Sequence, residues 1–336
     1  MARQFQVLRG LAIGHATDRA LKSGTTVFLP ESPAVAAVHV AGGAPGTRET
    51  DLLLPEATVD RVDAIALSGG SAFGLAAADG VTAWLAGHGR GFAVGGMRVP
   101  IVPAAILFDL ANGGDKSAIR DPGRSTSVYR ELGIAACSAA GPSIALGSFG
   151  AGAGAFTADL KGGFGAAAAA LPSGASVQAF VAANPFGRVT LGTTPHFRAG
   201  AFEQAGEYGN LGLPPVLPED AGRAVTKRDV GMRGNTTLAV IATDLAVDAA
   251  QAKRVAVAAH DGLALAIYPV HTPLDGDTVF VLSTGAVPLE DRVYGLADLA
   301  AAASATLARA VSRAVYEAEP APGDPSPTWK ARYGVA

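Results

Sequence analysis

The sequence predicts a mixed α/β fold. Short apolar runs bounded by glycine alternate with longer stretches at helical spacing, and no internal repeat or heptad pattern competes with that alternation. Residues 34–40 and 64–67 read as buried strands, each soon followed by glycine. Residues 71–85 read as a helix, with Ser71 as its cap and Phe73, Ala77, Val81 and Trp84 recurring on one face. Residues 177–183 form another strand, ended by Asn184-Pro185, and residues 238–243 a further one. A long helix over 248–267, a strand over 278–283 and a last helix over 296–318 follow, and a proline-rich tail closes the chain.

Composition narrows the function. Of 336 residues, 49% are hydrophobic and 16% charged, which is enough apolar material for one large packed domain spanning 1–336. A formal net charge of -3 with no basic run gives nucleic acid no electrostatic hold. The single Cys137 excludes an internal disulfide and a cysteine metal cluster. No secretory h-region follows Met1, and the alanine-rich stretches are too short or too interrupted to span a bilayer, so a soluble cytoplasmic protein without membrane contact is expected. The six histidines show no metal-ligand spacing, and Ser68-Gly69-Gly70-Ser71-Ala72-Phe73-Gly74 lacks the dinucleotide glycine order, so neither metal nor organic cofactor is expected.

Gly234-Asn235-Thr236-Thr237 carries the chemistry. It ends a stretch, 199–234, in which glycine, proline and charge crowd together and apolar periodicity vanishes, so that this stretch reads as a loose linker. An apolar strand begins directly after it. A peptide bond at the mouth of a buried strand, between asparagine and threonine, suits self-cleavage. Asparagine tolerates unusual backbone angles, and the β-branch of threonine restricts its hydroxyl to few rotamers. Scission between Asn235 and Thr236 would leave a hydroxyl and a free amine on one residue, a nucleophile carrying its own base. Taken alone, the four residues also describe a plain turn entering a strand.

Other segments offer partners. Asp275 and Asp277 lie two apart before a strand and point to one face, although Asp275-Gly276-Asp277 is also a strong turn signal. Asn184, at a strand end, has an amide that suits an oxyanion. Lys161, between leucine and glycines, can bring positive charge.

Six blocks together resemble the self-processing N-terminal-nucleophile aminopeptidases of the DmpA type (L-aminopeptidase/D-esterase, peptidase family S58), whose relatives include nylon-oligomer hydrolases and β-aminopeptidases. The blocks are Gly14-His15-Ala16-Thr17-Asp18, residues 42–51, residues 67–74, Leu160-Lys161-Gly162-Gly163, Gly234-Asn235-Thr236-Thr237 and residues 271–278, in the expected order over nearly the whole chain. The resemblance implies a four-layer αββα sandwich of the Ntn-hydrolase kind and scission into an α chain 1–235 and a β chain 236–336 that stay associated as homo-oligomers of αβ pairs. It implies Thr236 as nucleophile, Asn184 in the oxyanion hole, Lys161 as active-site lysine, and Asp275 and Asp277 as the neighbouring carboxylates. Ser71, Gly70 and Phe108 are expected to contact substrate. One departure stands out. Some members hold the substrate's amino group with a glutamate two residues before a tyrosine, and this chain has Ile106 and Phe108 there, with Asp109 as the adjacent carboxylate.

The expected function is therefore an amidohydrolase or aminopeptidase of small peptides and amides, working through an acyl-threonine. An endo-acting hydrolase of polyamide oligomers, an acyltransferase of the ornithine acetyltransferase kind and a non-catalytic binding protein on the same fold are the competing readings.

Overall fold

The computed structural model describes residues 2–231 and 234–334. Two sheets lie face to face. The larger has six strands in the order Gly163–Ala170, Ser176–Asn184, Thr236–Leu245, Thr278–Val287, Ala34–Val40, Arg61–Val62. All neighbours in it are antiparallel except Thr236–Leu245 and Thr278–Val287, which run parallel. The second sheet has five strands, in the order Leu11–Asp18, Ser23–Pro30, Ile65–Ser68, Ala104–Ile106, Thr47–Arg48.

Strand alternation sorts the side chains into layers. Leu238, Val240 and Ala242 enter the core between the sheets with Phe180, Phe280, Phe28 and Leu67. Ala239 and Ile241, on the opposite face, pack with Val255 and Leu263 of helix Ala249–Ala266 and with Leu307 and Val311 of helix Tyr294–Tyr316. The outer face of the second sheet, through Val27, Leu29 and Ala66, meets Val81 and Leu85 of helix Ala77–Gly87 and Ala136 of helix Ser127–Ser138. Period-two burial on both sheets therefore builds the αββα sandwich.

Local chemistry explains the boundaries. Asp248 caps the helix that follows, accepting from Gln251 N at 2.8 Å, while the Gln251 side chain reaches back to the Asp248 N–H at 3.0 Å. Ser71 does not cap: it follows Gly70, makes no capping bond and opens a 3-10 turn, Ser71–Ala76, and the α-helix begins only at Ala77. Gly163–Ala170 is a strand despite weak β propensity. A Cβ on Gly163 or Gly165 would lie 2.5 or 2.1 Å from the carbonyls of Ala314 or Ala310, so bare backbone lets the last long helix settle onto the sheet.

The segment expected to be a loose linker is irregular but anchored. Tyr208 is buried and donates its hydroxyl to Ala199 O at 2.8 Å, and Lys227 is buried farther on. Glu207 accepts two bonds from the Arg309 guanidinium, at 2.8 and 2.7 Å. Met232 and Arg233 lie outside the described residues. Glu207→Ala would leave Arg309 with a buried, uncompensated charge. We expect a loss of about 3–5 kcal/mol, read from denaturant unfolding. A loss below about 1 kcal/mol, typical of an exposed ion pair, would show that the anchor is solvated.

Among the described residues no helix is long and apolar enough to cross a membrane. Cys137 is buried, and burial pushes its thiol up to about 12.

Candidate active site

Thr236 begins a strand in the middle of the larger sheet, and its register partner is Asn184, the last residue of the neighbouring strand. Directly opposed residues of an antiparallel pair share a face. Thr236, in step with Leu238 and Val240, therefore takes the inter-sheet side at one end of the sandwich. There the core gives way to an open cavity of about 940 Å³. Its walls come from four of the six sequence blocks: Ala44 to Thr47, Ser71 and Ala72, Gly234 to Thr236, and Leu274. Ile106, Phe108, Phe186 and Arg228 complete much of the remainder.

Glycine makes room for the Thr236 side chain. A Cβ on Gly276 would lie 2.5 Å from the Thr236 hydroxyl oxygen, and one on Gly234 would enter the Phe108 ring at 1.9 Å. Gly234 also has φ +89°, a conformation that favours glycine. The Asn235 amide donates to Leu274 O at 3.3 Å, tying the residue before the threonine to the loop that carries the carboxylates.

Asp275 and Asp277 flank that glycine, both fully buried. Asp275 accepts from Phe186 N at 3.1 Å, Thr272 N at 2.9 Å and the Thr272 hydroxyl at 2.7 Å. Burial, reinforced by the negative charge of Asp277, pushes its carboxyl above the usual range. Asp277 accepts from Thr237 N at 2.8 Å, so it holds the amide one residue beyond Thr236. Its other oxygen faces His271 Nδ1 at 2.8 Å.

Asn184 does not line the cavity. It sits behind Phe108 and Gly234, in a small void shared with Asp109 and Lys227. Two donors, Phe156 N at 3.0 Å and Lys227 Nζ at 2.8 Å, fix its oxygen, so its NH2 faces Phe108 O at 3.1 Å and keeps a second hydrogen.

Lys161, expected at the active site, does not line the cavity. Lys161 is buried against the C-terminal tail, where Asp324 takes its ammonium at 2.6 Å and that of Lys22 at 2.8 Å. It lines a separate crevice with Asp18 and Glu319, and none of that crevice's residues lines the cavity. The lysine beside Asn184 is Lys227. Its ammonium donates to Asn184 O at 3.2 Å, Asn184 Oδ1 at 2.8 Å and Gly234 O at 2.7 Å, clamping the chain just before the threonine. Burial pulls Lys227 down to about 7, against the opposing charges of Asp275, Asp277 and Asp109. A short charged run, Thr226 to Asp229, hides it in the sequence as one more solvated lysine.

Of the expected substrate contacts, Ser71 and Phe108 line the cavity, whereas Gly70 does not. The Gly70 N–H is held by Asp109 at 2.8 Å, and a Cβ there would meet the Tyr129 ring. Asp109 is likewise absent from the cavity lining, and burial raises its carboxyl. Among the described lining residues there is no carboxylate side chain, and Arg228 is the charged group.

Known proteins resemble this chain in sequence and in fold. A solved L-aminopeptidase D-Ala-esterase/amidase from Ochrobactrum anthropi, described as a prototype for the serine aminopeptidases with a variant of the Ntn hydrolase fold, superposes with a TM-score of 0.67 at 20% identity, covering 95% of this chain and 88% of that one. An uncharacterized aminopeptidase of Mycobacterium tuberculosis is 43% identical over 94% of each chain. A 6-aminohexanoate-oligomer endohydrolase of Paenarthrobacter ureafaciens is 29% identical over 83% of this chain and 74% of its own. The model of peptidase family S58 matches residues 7–327. The chain belongs to peptidase family S58 and is a hydrolase of peptide bonds.

Proposed function

We propose that the protein cuts itself between Asn235 and Thr236 and then hydrolyses short peptides and amides through an acyl ester on Thr236. The observation that carries this reading is the placement of the Asn235-Thr236 bond in the wall of the cavity, between the Asn184 strand end and the Asp275/Asp277 loop. In the first step the Thr236 hydroxyl adds to the Asn235 carbonyl carbon. The C–N bond breaks, the hydroxyl proton passes to the nitrogen, and water hydrolyses the resulting ester to a carboxylate on Asn235.

In turnover the freed amine, with a reference pKa near ~8, takes the hydroxyl proton as Oγ1 attacks a substrate carbonyl, then returns it to the leaving nitrogen. Water releases the acyl group. Gly234 separates the cavity from the void that holds Asn184 and Lys227. Scission frees the chain end two bonds beyond it, which lets the second hydrogen of the Asn184 amide reach the oxyanion.

One observation favours endo action on oligomeric or N-blocked amides over strict aminopeptidase action. An aminopeptidase has to hold an ammonium, and the described lining offers Ile106 and Phe108 where a carboxylate and a hydroxyl would serve. Paired p-nitroanilides, free and N-acylated, decide it. Hydrolysis of the blocked compounds at least as fast as the free ones supports endo action; activity confined to free amines rejects it.

A further inference from the structure

Three histidines from a strand, a helix and a loop converge behind the carboxylate that holds the strand of the nucleophile. His271 follows the long helix, His260 lies within it, and His39 comes from the strand Ala34–Val40. His271 Nδ1 meets Asp277 Oδ2 at 2.8 Å, and the backbone N–H of His271 donates to the same oxygen at 3.2 Å. His271 Nε2 meets His260 Nδ1 at 3.3 Å, and His260 Nε2 meets the carbonyl of His39 at 3.1 Å. His271 holds φ 54°, a left-handed backbone that histidine tolerates better than most residues, so the loop sets this ring at a conformational cost.

The partners dictate where the protons sit. A carbonyl can only accept, so His260 carries its hydrogen on Nε2. His260 is buried, which pulls its pKa down to about 4, so its Nδ1 is bare and accepts from His271 Nε2–H. The Asp277 oxygen already accepts a backbone N–H, so His271 donates to it from Nδ1 as well. The geometry therefore favours the cationic form of His271, with hydrogens on both nitrogens. Burial works against that charge, but the hydrogen bond and charge of Asp277 outweigh it and raise the pKa.

The other charged groups around the pair are accounted for. Asp275 adds a favourable charge to His271. On the far side, Lys253 donates to Val38 O and, after burial, is the main influence keeping His39 low. Lys227 interacts electrostatically with both carboxylates.

We propose that His271, ordered by His260, is a positioning residue that clamps Asp277 onto the Thr237 amide and thereby sets the alkaline limit of activity. This rests on Thr236 being the nucleophile. The sign follows from the raised folded value. The clamp carries its full charge below the ordinary histidine value and weakens to a neutral hydrogen bond as pH rises through the folded one. The Thr236 amine imposes the opposite, acidic limb, since it has to be neutral to act.

The test uses the full chain. His271→Ala should lower kcat on the order of 10-fold to 100-fold, with KM changed far less. His271→Asn, which keeps a neutral donor toward Asp277 but cannot titrate, should hold kcat near the reduced level the wild type reaches at high pH and show no alkaline limb. An unchanged alkaline limb in His271→Asn overturns the proposal, as does a loss expressed in KM alone. Long-range proton–nitrogen spectra of histidine-labelled Thr236→Ala protein test the pair without catalysis. Both nitrogens of His271 protonated at pH 7, with His260 protonated only on Nε2, is the expected pattern; a neutral His271 overturns it. If Thr236→Ala remained active, the nucleophile assignment would fail while these spectra still reported on the pair.

Discussion

Thr236→Ala should yield one uncut 336-residue polypeptide with no measurable amidase activity. The substitution removes the only atom, Oγ1, that both steps require, and deletes little else. Thr236 is buried at a strand start, so its backbone still pairs with Asn184 and the inter-sheet core from Leu238 onward is untouched. Loss of function should therefore come with a folded protein. Intact mass after purification, circular dichroism and anilide hydrolysis read the three quantities. Thr236→Ser keeps the hydroxyl and loses the β-branch that restricts it, so slower but complete cutting is expected. A Thr236→Ala protein that still separates into two bands on a denaturing gel would place the cut elsewhere.

Lys227→Met and Lys161→Met should divide cleanly. Methionine keeps most of the lysine's stem and volume and removes the ammonium. At 227 this releases Gly234 O and both Asn184 oxygens from their common donor, so the peptide before the threonine is no longer fixed. Misplacement on the order of 1 Å costs about 100-fold in such steps, and self-cleavage should slow by that order. Stability should change little, because taking a charge out of a buried site offsets the lost bonds. At 161 the ammonium belongs to Asp324 and the tail, so cutting should proceed normally while thermal stability falls. Time courses of band conversion, with melting curves of both variants, test the pair. Normal cutting in Lys227→Met, or blocked cutting in Lys161→Met, would restore the lysine assignment that sequence resemblance implies.

The reason sequence alone points to Lys161 and passes over Lys227 is physical. Glycines beside Lys161 suggest an exposed backbone near a site, but they serve packing: a Cβ on Gly162 or Gly163 would strike the carbonyl of Ala183 or Ala314. Lys227 sits among threonine, arginine and aspartate in a short 3-10 turn, where local pattern predicts solvent. Only the fold of the irregular segment brings it under Asn184. The strands of the larger sheet that carry Val, Ile and Phe are legible because they are buried on both faces, as in residues 238–243 and 278–283. Leu11–Asp18 and Gly163–Ala170 are not, since histidine, threonine, glycine and alanine lack a strand pattern of their own and become strands through their neighbours. Asp275 and Asp277 are legible as a pair. Their histidine support is not, because His39, His260 and His271 meet only once helix and sheet have packed.

The order of strands in the larger sheet has a consequence for the mature enzyme. Two strands from residues 236–336 lie side by side in its centre, with two strands from residues 1–235 on either flank. If the bond at 235 is severed as proposed, the pieces would stay interleaved like clasped fingers, and neither could leave without tearing ladders on both sides. The cut would also delete the tether that made assembly unimolecular. Unfolded mature enzyme should then recover poorly and in a concentration-dependent manner, whereas the uncut Thr236→Ala chain recovers alone, so scission turns a reversible folder into one whose shape is inherited from its precursor.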